Sequence, residues 1–305
     1  MNRISYLFSL LILSLTMNAQ SRIISVLEIY DTETNERMTI REFPYLIEAP
    51  NWSPDGKWLI YNHAGRLYRI DSEGKNDPIE INTGFATQCN NDHVISSDGK
   101  VLGISHAEGD WKTSRVYVLP FEGGQPREVT PLCPSFLHGM SPDGKEVAYC
   151  AFRGEAKAIY VKDVNGGEER CLTTAAGLND GPEYSPDGKY IWFNSVRTGL
   201  MQVWRMRRDG SRQKQMTHDE DLNSWFPHVS PDGRQVVYIA YHKGDLKPDE
   251  HLPNKNVVLR LMSSKGKHPR TIVELFGGQG TINVNSWSPD SRKFAFVSYR
   301  IRPHS

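Results

Sequence analysis

Short apolar runs separated by polar turns recur along most of the chain. Six of them stand at matching places: Trp58–Tyr61, Val101–Ser105, Val147–Cys150, Tyr190–Phe193, Val236–Tyr241 and Phe294–Tyr299. Short runs rich in β-branched and aromatic residues, bounded by Gly and Pro, predict strands. A second run follows at Leu67–Ile70, Val116–Leu119, Ile159–Val161, Val203–Met206 and Val257–Met262. Next comes a Gly-rich or charged turn, such as Glu122-Gly123-Gly124 or Asp209-Gly210-Ser211, and a third run ending near Thr130, Thr173 or Thr217.

The phrase before each unit's first run is Ser-Pro-Asp-Gly or a close variant, led by Ser53, Ser96, Ser141, Ser185, Ser230 and Ser288. Spacings of 43, 45, 44, 45 and 58 residues mark a repeat architecture. In such a phrase Pro presets φ, Asp bonds its own backbone and Gly tolerates positive φ, so each copy is a tight turn. With the strand that enters the turn, each unit has four strands, which is a propeller blade. Only 17 residues follow Ser288, room for two strands. Residues 22–53 supply the rest, Val26–Tyr30 and Met38–Glu42 around a turn at 31–36. The expected fold is all-β: a six-bladed β-propeller of four-stranded antiparallel blades. N-terminal strands complete the C-terminal blade and close the ring, which removes its open edges.

These six units, each preceded by a large residue and followed by Lys or Arg and an apolar strand, resemble the TolB-type propeller repeat over essentially the whole mature chain. The Tol-system member of that family carries an extra N-terminal domain and works in an envelope complex with a peptidoglycan-associated lipoprotein. Here the propeller begins within a few residues of the leader, so neither that domain nor that role is expected. The repeat is also similar to the propellers of prolyl-oligopeptidase-type peptidases, which need a Gly-x-Ser-x-Gly nucleophile turn that this sequence lacks.

Residues 1–19 read as a separate object. Arg3 precedes an apolar run from Tyr6 to Leu15, and Ala19 precedes the expected cut. That is a signal peptide, too short to span a bilayer. The mature chain, 20–305, is expected to be one exported propeller, periplasmic or secreted, soluble and monomeric. Export permits disulfides, but Cys89, Cys133, Cys150 and Cys171 form no Cys-x-x-Cys pair, so no redox motif or zinc knuckle is signalled. Lys and Arg number 36 against 36 Asp and Glu, which recruits neither nucleic acid nor an anionic membrane.

Strand order places two loop types on one face, called upper: the loops entering each inner strand and those joining second and third strands. Eight of ten histidines map there: His63, His93, His106, His138, His218, His228, His242 and His251. Loops tolerate histidine, but that plainer account puts histidines on the lower turns too. Residues two or three before each turn serine should ring the channel mouth: Asn51, His93, His138, Glu183, His228 and Asn285, with Asp92 and Asp180 nearby. Three histidines (His93, His138, His228) with carboxylates suit one divalent metal such as Mn, Zn or Ca, or acid–base work on a sugar or ester. The competing account is a wet channel whose polar residues bind only water.

Further ligand-binding candidates are His106, Arg153 and Trp225, with Gln279 in a Gly-rich segment that could let backbone approach a ligand. Arg153 and Arg197 could pair a carboxylate, although surface Arg is commonplace. Trp111 and Phe226 could stack on sugar rings, and the insertion 242–256 is a candidate lid or partner loop. Two functions compete. One is a binding module for a glycan, peptide or envelope protein. The other is a metal-dependent carbohydrate-active enzyme, a polysaccharide lyase or hydrolase, similar in architecture to the oligogalacturonate lyases. In that reading His93, His138 and His228 hold the metal, Glu183 or Asp180 acts as acid or base, and Arg197 clamps a carboxylate.

Overall fold

In the computed structural model, which describes residues 23–302, the turn phrase is a hydrogen-bonded device repeated six times. In every copy the serine hydroxyl donates to the aspartate two residues on, at 2.5–2.7 Å. The same oxygen accepts, at 2.9–3.0 Å, from the N–H that opens the next strand: Trp58, Val101, Glu146, Tyr190, Gln235 and Lys293. Five copies end in a glycine with φ between +66° and +76°, whereas the sixth has Ser291 at +62°. A side chain is disfavoured there. Ser291 offsets the cost by accepting from the Asp232 N–H of the neighbouring blade at 2.9 Å.

The strands leave the axis in chain order. Strands β3 (Glu48–Trp52), β4 (Trp58–His63), β5 (Arg66–Asp71) and β6 (Ile79–Ile81) make one blade. The next is β7 (Cys89–Ile95), β8 (Val101–His106), β9 (Arg115–Pro120) and β10 (Arg127–Glu128). Then come β11 (Ser135–Met140), β12 (Glu146–Arg153), β13 (Ala156–Asp163) and β14 (Gly166–Cys171). The fourth holds β15 (Asn179–Tyr184), β16 (Tyr190–Thr198), β17 (Leu200–Arg207) and β18 (Lys214–Gln215). The fifth holds β19 (Leu222–Val229), β20 (Gln235–His242), β21 (Pro253–Ser263) and β22 (Arg270–Gly278).

The sixth blade joins the two ends of the chain. Strand β23 (Lys293–Ile301) pairs with β1 (Ile23–Asp31), which pairs with β2 (Glu36–Phe43). A bridge from Trp287 to Phe294 sets residues before the last turn in the innermost place. The antiparallel register of β1 and β23 runs from Ile23 opposite Ile301 to Asp31 opposite Lys293. The closure expected from the repeat arithmetic is thus formed by the strands expected to form it.

Second strands are buried almost end to end because each blade packs another sheet on both faces; β20 and β23 are examples. That is why they read as continuous apolar runs rather than as alternation. Outer strands β2 and β14 face solvent and are polar. Thr130, Thr173 and Thr217 tie outer segments to third strands, their hydroxyls accepting from Val116, Ile159 and Val203 N–H at 2.8–2.9 Å. All four cysteines are free, with Cys89 and Cys150 buried. The leader expected over 1–19 lies outside the described residues, among which no helix is long and apolar enough to cross a membrane.

Candidate functional site

The inner strands do not alternate cleanly. Five of them carry a register irregularity, for example between Glu48 and Asn51, Asp180 and Glu183, and Trp225 and His228. At three of these breaks Ala49, Gly181 and Phe226 take φ of +53°, +60° and +50°. A bulge re-aims the side chains beyond it. Residues five before the turn serine, Trp225 apart, therefore line the upper side, while those two or three before it, His138 apart, face the lower side or the blade interfaces.

Two cavities result, sharing His138. The lower one, about 380 Å³, is rimmed by prolines of the Ser-Pro-Asp-Gly turns. Glu183 is tied down beside it. Its Oε1 accepts from Val229 N–H at 2.9 Å and Asn285 Nδ2 at 2.7 Å, and its Oε2 lies 2.6 Å from His228 Nδ1. His228 Nε2 donates to the Ile282 carbonyl at 2.8 Å, and Asn51 Nδ2 donates to the Asn285 carbonyl. This network links four inner strands or segments and leaves no ring nitrogen of His228 free.

The upper cavity, about 680 Å³, has a charged floor and an aromatic rim. His138 Nε2 lies 3.2 Å from Asp180 Oδ1 and 4.0 Å from Asp92 Oδ1. Burial alone would discharge the imidazole, but the two carboxylates outweigh it and raise the pKa to about 9. Burial likewise works against charge on Asp180, yet His138 holds its pKa at about 2. Asp92 is pushed by burial to about 6, its attraction to His138 partly offset by Asp180. Beside it Glu48, half-buried and bonded to Asn91 Nδ2 at 3.2 Å, is pushed by desolvation to about 7. His138 stacks on Phe226 with centroids 5.5 Å apart. His251, from the insertion, lies 4.4 Å from Trp225 and is driven toward its neutral form by burial. At the rim Trp111 is 53% exposed and packs against Phe136 and Phe152.

A family model described as the TolB beta propeller domain matches residues 94–269, more than half of the chain. The chain belongs to the TolB β-propeller family. A solved TolB-type structure from Agrobacterium tumefaciens is 46% identical, with a TM-score of 0.86 over 91% of this chain and 99% of that one. The Tol-Pal system protein TolB of Francisella tularensis subsp. tularensis is 26% identical over 84% of this chain, which spans only 57% of that relative's length. An oligogalacturonate lyase in complex with manganese shares the fold alone: 15% identity, TM-score 0.52, covering 84% of this chain and 75% of that one.

This TolB-family propeller gathers some of the sequence-predicted residues and scatters others. Asp92, His138, Asp180 and Gln279 line the upper cavity; Asn51, Glu183 and Asn285 line the lower one. The three histidines do not converge. His93 is fully buried, with its pKa depressed to about 4 by burial, and His228 is spent on Glu183 and Ile282. Among the described residues no group of three His, Cys, Asp or Glu is placed to hold a metal ion. The proposed donor set therefore does not fit a divalent cation.

Arg197 is bound to Ser195, Asn179 and Gln213 and lies over Trp204, away from both cavities. Arg153 pairs with Glu169 on the outer part of its blade. His106 accepts from Gln88 N–H at 3.3 Å and packs against Phe85 and Tyr117. Trp225 is completely buried, a core residue rather than a stacking platform. Residues passed over by sequence reasoning are Glu48, Asn91 and Asn283. They share with Asp180 the position five before the turn serine, so repeat phase was the signal that could have found them. The insertion contributes Asp249 and His251 to the upper cavity, a wall rather than a remote lid.

Proposed function

We propose that this protein is an exported binding propeller that takes a glycan, peptide or envelope-protein segment in its upper cavity. The observation that carries this reading is the buried Asp92–His138–Asp180 floor, which opens into a cavity of about 680 Å³ with an aromatic rim. Cavities of roughly 300–1,000 Å³ with few convergent polar groups are typical ligand sites. The same floor argues against His138 as a general base. Held as a cation to about pH 9, it has no free site for a proton near neutrality. Family membership supports the fold and leaves the ligand open, because fold alone does not assign function.

A second reading rests on the place of Glu48, a carboxylate lining the upper cavity with one amide partner; desolvation raises its pKa to about 7, a value suited to acid–base chemistry. The test is a screen of glycans and peptides, for binding and for turnover, against wild type, His138→Ala, Trp111→Ala and Glu48→Gln. Binding lost in His138→Ala and Trp111→Ala, with far-UV dichroism unchanged, is the expected result. Binding indifferent to both substitutions would overturn the proposal. Turnover abolished in Glu48→Gln would favour the enzyme.

A further inference from the structure

The upper cavity carries an unbalanced charge. Glu48, Asp92 and Asp180 meet at its floor, and the cation among them, His138, lies 3.2 Å from Asp180 and 4.0 Å from Asp92. Beyond His138, each of the other two carboxylates has only an amide partner among the described residues: Asn91 for Glu48, Asn90 for Asp92. His251 is held toward neutrality, and Lys157 is exposed and lies over Phe152. Buried carboxylates are costly unless a cation or several donors meet them.

A second group at the same floor asks for the opposite partner. Asn283 is 2% exposed and lines this cavity. Its Oδ1 accepts from Gly280 N–H at 2.7 Å, which fixes the amide orientation. Its Nδ2 has no partner among the described residues. A buried N–H left without an acceptor is costly. The matching ligand thus brings a positive donor for Glu48 and Asp92 and, close beside it, an acceptor for Asn283.

The shape adds a third constraint. At its inner end the upper cavity meets the lower one at His138 alone, and the hydrogen-bonded network of Glu183, His228, Asn285 and Asn51 lies in the wall below. The upper cavity is therefore closed at its inner end and suits a chain terminus better than a continuous strand. We propose that it captures a free peptide N-terminus: Glu48 and Asp92 accept from the α-ammonium group, and Asn283 Nδ2 donates to the first carbonyl oxygen. The rim of Trp111, Phe136 and Phe152 then covers the first side chains. Terminal-amine capture is a recurring recognition mode. This inference rests on the upper cavity being the binding site.

The test uses the mature protein and a randomised pool of hexapeptides with free N-termini, beside the same pool acetylated and a glycan panel. Retained peptides are identified by mass spectrometry, and one is resynthesised for calorimetry. Acetylation is expected to weaken binding about 30-fold, as loss of a charged hydrogen bond would. Glu48→Gln and Asp92→Asn are each expected to weaken it about tenfold. Asn283→Ala should cost the free peptide about fivefold while leaving a simple alkylamine unaffected. Should a variant fail to fold, the acetylated ligand still decides the matter on the wild-type protein.

Equal retention of both pools, or glycan binding alone that is lost in Trp111→Ala, would overturn the N-terminus while sparing the binding cavity. Binding of calcium or manganese alone that is abolished by Asp92→Asn would also overturn it. Ligands of any kind that bind undisturbed by His138→Ala and Trp111→Ala would sink the cavity assignment itself.

Discussion

His138 concentrates much of the site's electrostatics in one side chain. Its folded pKa of about 9 exceeds the ordinary 6.5, so its contribution to stability is complete below about pH 6.5 and is lost as pH rises through 9. Glu48 and Asp92, raised to about 7 and 6, lose theirs earlier on the same rise. Urea unfolding between pH 7.5 and 10 should therefore show a fall of about 2 kcal/mol in wild type. In His138→Gln that slope should be largely gone; an unchanged slope would show that another group titrates there. Two tryptophans make a second contrast. Trp225→Ala removes a completely buried ring and should cost about 3–5 kcal/mol, whereas Trp111→Ala, at a residue 53% exposed, should leave the melting temperature nearly unchanged. Urea midpoints of the two variants check this.

At the level of elements, the turn phrase and the bulge differ in legibility. Ser-Pro-Asp-Gly bonds within itself and to the next strand's first N–H, so its structure is local and appears wherever the letters do. The bulge in each inner strand depends on how closely neighbouring blades approach. Gly139 shows the constraint: a Cβ there would stand 2.7 Å from the Pro182 carbonyl oxygen of the next inner strand. Gly139→Ala is expected to destabilise by about 1–3 kcal/mol through overpacking. Loss of hydrogen-exchange protection should centre on β11 and β15, and protection lost elsewhere would contradict this contact.

The molecule as a whole depends on closure. β1 and β23 come from opposite ends of the chain and pair along their full length, with Leu27 opposite Val297 in the core. An open repeat array melts by segments, because each unit touches only its neighbours. This ring should instead unfold in one transition, with calorimetric and van't Hoff enthalpies equal. A chain ending at Arg292 removes β23, strands the buried face of β1 and should lose its near-ultraviolet dichroism. Two or more separated transitions in the intact protein would show that closure does not couple the blades.

Repeat phase, turn chemistry and the shortfall of 17 residues after Ser288 were enough to determine blade number, strand order and the closing pair, because each is set by local bonding or by counting along the chain. The histidine bias pointed to the upper face, and Asp92, His138 and Asp180 do meet there. Which neighbours share a cavity was another matter. Counting back two or three residues from each turn serine places Glu183, His228 and Asn285 with them, but in the assembled ring those side chains bond to one another in a separate network below. Burial of Trp225 and the pairing of Arg197 and Arg153 likewise depend on packing between strands distant in sequence. Only the assembled ring fixes those contacts, since its inner strands meet across an axis that no single repeat contains.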